Sequence, residues 1–421
     1  MRRLQWGMRV EVINTGTELL LGDVTNKHLT YIAQQILPLG LRVQRQVTVP
    51  DGGAIRSALS EAVATAEIVF VTGGLGPTTD DITREATAEV LGVRMRRDEA
   101  VATAITARLE RNRFPMTDRI LRQADVPEGG TVLPNDNGTA PGLYFPARAT
   151  AAGRTPHLFL LPGPPRELHP MFRESVLPLL RGVVRPDALP DHRVFSLACV
   201  GESVVEAKIG RELLAIPELE LGYCAHAGAV DVRVMGPRCA VRRAEELIDA
   251  AFGASIYTRT GETLEQVVVR LLTESGQTVT TAESCTGGYL AHRLTNVSGA
   301  SAVYRSGAVT YSNEEKSRVL GVAPSLIKEN GAVSEPVVRA MAEGARAAAT
   351  ASYALATTGI AGPGGGSELK PVGTVFIALA SDTGTQVHKF RFITDRQAFK
   401  QLATQRALEL LRQHLLASTG G

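Results

Sequence analysis

Residues 67–81 read Glu67-Ile-Val-Phe-Val-Thr-Gly-Gly-Leu-Gly-Pro-Thr-Thr-Asp-Asp81. An apolar, β-prone run over Glu67–Thr72 breaks at glycine and gives way to small polar residues. A helix-period segment, Ile82–Leu91, follows. A strand that ends in a Gly-rich loop and hands over to a helix is half of a βαβ unit. The pattern recurs upstream. Strand Met8–Asn14 precedes a helix around Lys27–Leu37 with its apolar face at Leu29, Ile32, Ala33 and Ile36, and strand Leu41–Val49 precedes helix Ala54–Ala66. The alternation predicts an α/β fold whose N-terminal part is a doubly wound, mostly parallel sheet. Such sheets bind ligands at the carboxyl ends of their strands. Two loops fall there, Thr15-Gly16-Thr17-Glu18 and Gly73–Asp81. A turn-rich loop at Asn135–Pro141 and the Pro162-Gly163-Pro164-Pro165-Arg166-Glu167 run after strand Leu158–Leu161 lie further on. Between them, Ala147–Pro156 reads as a solvated hairpin tip.

The chain has 421 residues, enough for two or three domains. Hydrophobic content of 44% and charged content of 21% are those of an ordinary globular protein. A net charge of +2 offers no basic face for nucleic acid and no pull towards acidic membranes. No apolar run reaches the roughly 18 residues of a membrane span. Residues 1–7 read as a short extension without a signal-peptide core. Cys199, Cys224, Cys239 and Cys285 are widely spaced; three read as half-buried strand residues, and no disulfide or zinc framework is expected. A cytoplasmic location follows as the expectation.

From about residue 171 the character changes. Strands Arg193–Val200, Leu221–Ala225 and Val230–Val234, with helices near Val204–Leu214 and Arg242–Phe252, predict a small α+β module. The expected domains are therefore 1–170, 171–258 and 259–421. The last opens with helix Thr263–Ser275 and closes with an amphipathic helix, Gln397–Leu416.

Within that last domain, Val279-Thr-Thr-Ala-Glu-Ser-Cys-Thr-Gly-Gly288 is a strand turning abruptly into a helix, Tyr289–Leu294. Ser284 or Cys285 then stands near free helix N–H groups, which stabilise an anion or a developing oxyanion; a plain N-capped helix is the simpler reading. A serine nucleophile needs a base. His292 and His388 have no carboxylate beside them and read as surface or structural imidazoles. Lys316, five residues beyond Tyr311 at a strand-to-helix junction, becomes a base if burial lowers its pKa; otherwise it is a solvated lysine. The loop from Thr357 to Gly366 and the Asp395-Arg396 pair suit a phosphorylated ligand, or are a surface loop and a helix cap. Cys285 is the rival nucleophile, because a thiol at a helix N-terminus has a lowered pKa.

These segments carry a resemblance. AESCTGG, VTYSNEEK at 309–316, GAVSEPVV at 331–338, TTGIAGPGGG and TDR resemble, in order, the C-terminal domain of the CinA family of competence/damage-inducible proteins. That domain is a nicotinamide mononucleotide deamidase. The resemblance implies a cofactor-free Ser–Lys amidohydrolase with Ser284, Lys316 and an assisting Tyr311. Cys285, Thr286, Gly287, Thr357, Thr358, Gly359 and Arg396 would hold substrate and oxyanion. A second family arginine is Lys400 here.

The N-terminal half resembles the same family's molybdopterin-binding-like domain through GTELLLG, TGGLGPTTDDIT, NGTAPG and LPGPPRE. This half implies metal-dependent ADP-ribose pyrophosphatase activity. Gly73, Gly74, Gly76, Thr78, Asn137 and Gly138 would cradle phosphates, and Asp81, Asp80 and Glu18 would hold a divalent cation. The alternative is that Asp80 or Asp81 merely caps the next helix. The family's Asp/Asn-Thr-Asn is Asn26-Lys27-His28 here, and the Asn of Asn-x-Lys-Gln-Ala is Ile120. The resemblance also implies a homodimer. The leading expectation is thus a bifunctional enzyme of pyridine-nucleotide salvage acting on small nucleotides. A competence or DNA-repair partner protein with degenerate sites, and nucleotidyl transfer to molybdopterin, are the other readings.

Overall fold

A computed structural model describes residues 8–150, 153–184 and 190–419. Two compact units divide at Pro190/Asp191.

The N-terminal unit is a six-stranded sheet of β1 (Arg9–Thr15), β2 (Arg42–Val49), β3 (Ile68–Thr72), β4 (Thr131–Leu133), β5 (Gly142–Phe145) and β6 (His157–Leu161), ordered β2-β1-β3-β6-β5-β4. The first four in that order run parallel, and β5 is antiparallel to both of its neighbours, β6 and β4. Alternate residues of β3 enter opposite cores. Val69 and Val71 pack with Ile55, Leu59 and Ala62 of helix Ala54–Thr65. Ile68 and Phe70 pack with Ile32 and Ile36 of helix His28–Ile36. Burial on both faces explains the unbroken apolar run.

The expected boundary after residue 170 is corrected. It falls inside the helical stretch from Pro165 to Val183, whose Leu168, Met171, Phe172, Val176 and Leu180 are buried against this sheet. That apolar face binds the stretch to the N-terminal unit. The hairpin expected at 147–156 forms between Ala149–Thr150 and Gly153–Arg154; residues 151–152, like 1–7, lie outside the described residues.

The second unit holds two sheets. The first is antiparallel, of β7 (Asp191–Ala198), β8 (Glu220–His226), β9 (Ala229–Gly236) and β10 (Ile256–Thr258), ordered β8-β9-β7-β10. The second contains β11 (Val279–Glu283), β12 (Tyr304–Val309), β13 (Tyr353–Gly359), β14 (Thr374–Ser381) and β15 (Gly384–Arg391), ordered β12-β11-β13-β14-β15. One face carries Val279, Leu355, Ile377 and Leu379 against helices Leu264–Ser275 and Arg396–Thr419. The other carries Ala282, Ala354, Ala356, Ala378 and Ala380, small residues that let helix Glu335–Ala349 lie close. Thr263 caps the first of these helices in a capping box with Gln266.

Cysteine placement differs from expectation at two positions. Cys224 and Cys239 are exposed, the latter on helix Arg238–Phe252, and all four thiols are free. No helix among the described residues is long and apolar enough to cross a membrane.

The last helix is tied to the α+β module by a buried ion pair. Arg412 binds Glu409 through Nε and Nη2, both at 2.7 Å, and Nη2 also donates to the Ala254 carbonyl at 2.7 Å. Removing one partner strands the other charge in the interior. Arg412→Ala should lower stability by roughly 3–5 kcal/mol, read as a fall in Tm and urea midpoint. Pairing Arg412→Met with Glu409→Leu should recover most of it.

Candidate active site

In the second unit the chain leaves β11, turns through Ser284–Gly288 and enters helix Tyr289–Thr295. Strand β12 lies on one side of β11 and β13 on the other, so the loops after these strands converge here. The buried Glu283 fixes the turn. Its carboxylate accepts the N–H groups of Gly288 (3.0 Å), Leu290 (3.0 Å) and Ala291 (2.8 Å). Gly287 and Gly288 have φ of 61° and 88°, which only glycine adopts without strain.

Ser284 donates its N–H to the Thr357 carbonyl at 3.0 Å, and its Oγ lies 3.1 Å from Lys316 Nζ. Lys316 is 1% exposed. Its Nζ also donates to the Thr310 carbonyl at 2.7 Å and the Ser312 carbonyl at 3.5 Å. Burial pushes the amine pKa down, against smaller opposing effects of Cys285 and Glu314. A neutral amine gives two N–H groups to those carbonyls and keeps a lone pair for the Ser284 hydroxyl. The pair has the geometry that a serine nucleophile and its base require.

The expected neighbours divide. Cys285 is buried in the apolar core with Ala361, Val375 and Phe399, and burial pushes its thiol up to about 12. The lowered thiol pKa expected at a helix start is corrected: the thiol faces the core, where a thiolate is poorly solvated. Thr286 and Thr357 hydrogen-bond each other through their hydroxyls at 2.7 Å, and the Thr358 hydroxyl donates to the Ala332 carbonyl at 2.9 Å. These threonines brace the loops. Gly359 is a packing requirement, since a Cβ there would lie 2.7 Å from the Thr374 carbonyl and 3.1 Å from Cys285 Sγ. The anticipated oxyanion donors also narrow. Gly287 gives its N–H to the Ser284 carbonyl, whereas the N–H groups of Cys285 and Thr286 donate to no backbone carbonyl among the described residues.

Tyr311 is 60% exposed, and its hydroxyl pairs with Arg396 Nη2 at 2.5 Å instead of with Ser284 or Lys316. It lies in the link between β12 and the helix that starts at Asn313, where the flanking carbonyls of Thr310 and Ser312 hold the lysine. Arg396 Nη1 donates to the Gly362 carbonyl at 3.0 Å. Asp395 caps the last helix through the N–H groups of Gln397 and Ala398. One turn on, Lys400 stands over the catalytic turn; a Cβ at Gly287 would lie 3.3 Å from its Nζ. Tyr311, Arg396 and Lys400 thus form a polar, cationic rim.

The N-terminal unit has its own switch point, between β1 and β3. The Gly73 N–H donates to the Leu161 carbonyl at 3.0 Å, and a Cβ at Gly73 would lie 2.7 Å from the Thr15 carbonyl. A cleft of about 550 Å3 opens there, lined by all nine expected residues, Glu18, Gly73, Gly74, Gly76, Thr78, Asp80, Asp81, Asn137 and Gly138. The carboxylates do not form the expected metal trio. Asp81 Oδ2 accepts the Thr78 N–H at 3.0 Å and hydroxyl at 2.5 Å, while Glu18 folds over Gly16. Hydrogen bonding to Thr78 also lowers the Asp80 pKa. No three His, Cys, Asp or Glu side chains cluster as metal ligands among the described residues.

Two residues missed in the sequence hold this loop from behind. Arg84, 1% exposed, donates to the Leu75 carbonyl at 2.5 Å and the Gly76 carbonyl at 3.4 Å, and Gln123 donates to Leu75 at 3.4 Å. An arginine at the third position after the paired aspartates reads as helix surface; only the tertiary fold reveals its burial.

Comparison with known proteins agrees with both halves. Residues 261–415 match the model of the CinA C-terminal domain, and residues 11–182 that of the probable molybdopterin binding domain. A CinA-like protein of Akkermansia muciniphila is 46% identical over 402 residues, covering 95% of this chain and 96% of its own length. Another, from Acidobacterium capsulatum, is 38% identical, covering 97% of this chain and all of its own. A solved CinA superfamily protein of Klebsiella pneumoniae is 38% identical over 37% of this chain and 96% of its own, with a TM-score of 0.36. Because relatives this similar run the length of both units, the chain belongs to the CinA family.

Proposed function

We propose that the Ser284–Lys316 site hydrolyses the carboxamide of nicotinamide mononucleotide to the acid, releasing ammonia. The observation that carries this reading is the buried Lys316 Nζ 3.1 Å from Ser284 Oγ, with two carbonyls taking its other hydrogens. The choice of substrate rests on the family resemblance. As Ser284 Oγ attacks the amide carbon, its proton passes to Nζ. The oxyanion faces the N–H groups of Cys285 and Thr286. The Lys316 ammonium then protonates the leaving nitrogen, and the C–N bond breaks to give ammonia and an acyl-serine. Water, deprotonated by the same amine, cleaves that ester. Arg396 and Lys400 supply positive charge for the phosphate. Tyr311 positions Arg396 instead of moving a proton.

The N-terminal cleft supports a second activity, cleavage of ADP-ribose to AMP and ribose 5-phosphate. The observation favouring it is the convergence of the Gly73–Gly76 backbone, Asp80 and Asp81 on one nucleotide-sized cleft. The donor set suits a divalent cation held by one or two carboxylates and completed by the ligand's phosphates, as Mg2+ is bound. Asp81, with Asp80, would hold it and neutralise phosphate charge.

Ammonia release from nicotinamide mononucleotide tests the first activity. Ser284→Ala should lower kcat by at least about 10³-fold, whereas Cys285→Ala should stay within a few-fold of wild type; the opposite pattern sinks the serine mechanism. Since neutral Lys316 is the working form, kcat/KM should climb with pH through the depressed pKa of the amine. The same shift has a stability sign. A lysine lowered below its unfolded pKa carries the full cost of burying charge under its folded pKa, and that cost disappears as pH approaches 10.5. Lys316→Met should therefore raise Tm at neutral pH by a margin that shrinks towards pH 10. For the second activity, Asp81→Asn should abolish metal-stimulated AMP formation and leave ammonia release unchanged.

A further inference from the structure

Phe114 lines the N-terminal cleft, yet it is 64% exposed. A phenyl ring left in water beside a polar cleft forgoes the burial that normally stabilises an aromatic side chain. Its presentation is built into the backbone. Helix Glu99–Asn112 ends at Arg113 in the left-handed region, φ 56°, and the Phe114 N–H returns to the Leu109 carbonyl at 2.9 Å. This closure turns the chain so that residue 114 reaches the cleft on the same side as Arg108 and Asn112, one helical turn apart. Arg108 Nη1 is held by the Asp136 carbonyl at 2.6 Å. The Gly73–Gly76 loop lines the same cleft. The cleft therefore combines a glycine loop with an exposed aromatic ring.

We infer that Phe114 is the stacking platform for the heteroaromatic base of the ligand, making this cleft selective for nucleotides over sugar phosphates. The inference rests on the reading of this cleft as a nucleotide site and adds the element that recognises the base. Stacking on an aromatic face is tolerant of base identity, so nucleotides as a class are the expected ligands, whatever their base. Asn112 offers an amide to the base edge, and Arg108 a cation at the same rim.

The experiment uses the full chain with its single tryptophan, Trp6, replaced by phenylalanine and Phe114→Trp as the reporter. Titration with AMP should quench the emission of the introduced indole, and ribose 5-phosphate at equal concentration should leave it unchanged. In parallel, Phe114→Ala should raise the KM for ADP-ribose about 5- to 10-fold with kcat within twofold, and Phe114→Tyr should keep the wild-type KM. Exposure of the ring means that Tm should hold in each variant. Equal quenching by AMP and ribose 5-phosphate, or an unchanged KM and AMP affinity in Phe114→Ala, overturns the inference. If the reporter protein binds AMP with quenching but the wild type leaves ADP-ribose intact, the platform stands and the pyrophosphatase reading falls.

Discussion

A lysine amine taken out of water is the constraint on which the second unit turns. An ammonium at that depth costs free energy that the two carbonyls of Thr310 and Ser312 only partly offset. Shedding the proton relieves the cost, so withholding solvent pushes the amine pKa down. Geometry then gives the base one partner. Strand β12 ends at Val309, the helix begins at Asn313, and the short link between them wraps Lys316 Nζ with carbonyls on two sides. The remaining direction leads to Ser284.

Both units place their loops by the same topological device and hold them by opposite chemistry. In each sheet the first strand is flanked by the second on one side and the third on the other, so two loops open towards one crevice. Behind the Ser284 turn, a buried carboxylate, Glu283, collects three N–H groups. Behind the Gly73–Gly76 loop, a buried guanidinium, Arg84, collects two carbonyls. The charge chosen decides which backbone groups are consumed. Arg84 takes carbonyls, those of Leu75 and Gly76. Glu283 takes helix N–H groups and reserves only those of Cys285 and Thr286.

Much of this was legible because it depends on local pattern. The unbroken run Ile68–Thr72 and its glycine stop mark a doubly covered strand, and the nine cleft residues lie in loops that the topology must bring together. What escaped the sequence depends on side-chain direction. Glu283 looks like a polar residue at a strand end; its role appears only when the next helix folds back over it. Tyr311 sits five residues from Lys316, but in the link after β12 its hydroxyl pairs with Arg396. Thr286 and Thr357 are 71 positions apart, and no local rule shows that their hydroxyls satisfy each other. The boundary near residue 170 was misplaced because the amphipathic stretch from Pro165 to Val183 does not announce which sheet it covers.

Burial, more than intrinsic reactivity, separates the adjacent side chains of Ser284 and Cys285. By chemistry alone the thiol of Cys285 is the better attacker, and a helix start ought to activate it. The turn denies it both solvent and base. Its side chain fills a gap between Ala361, Val375 and Phe399, where Gly359 leaves room for the sulfur. Enlarging residue 359 would push on that sulfur and on the Thr374 carbonyl together, and the strain would pass along the backbone to the next residue, Ser284. The thiol is thus a packing element beside the turn, and of the two adjacent side chains it is the alcohol that hydrogen-bonds the amine.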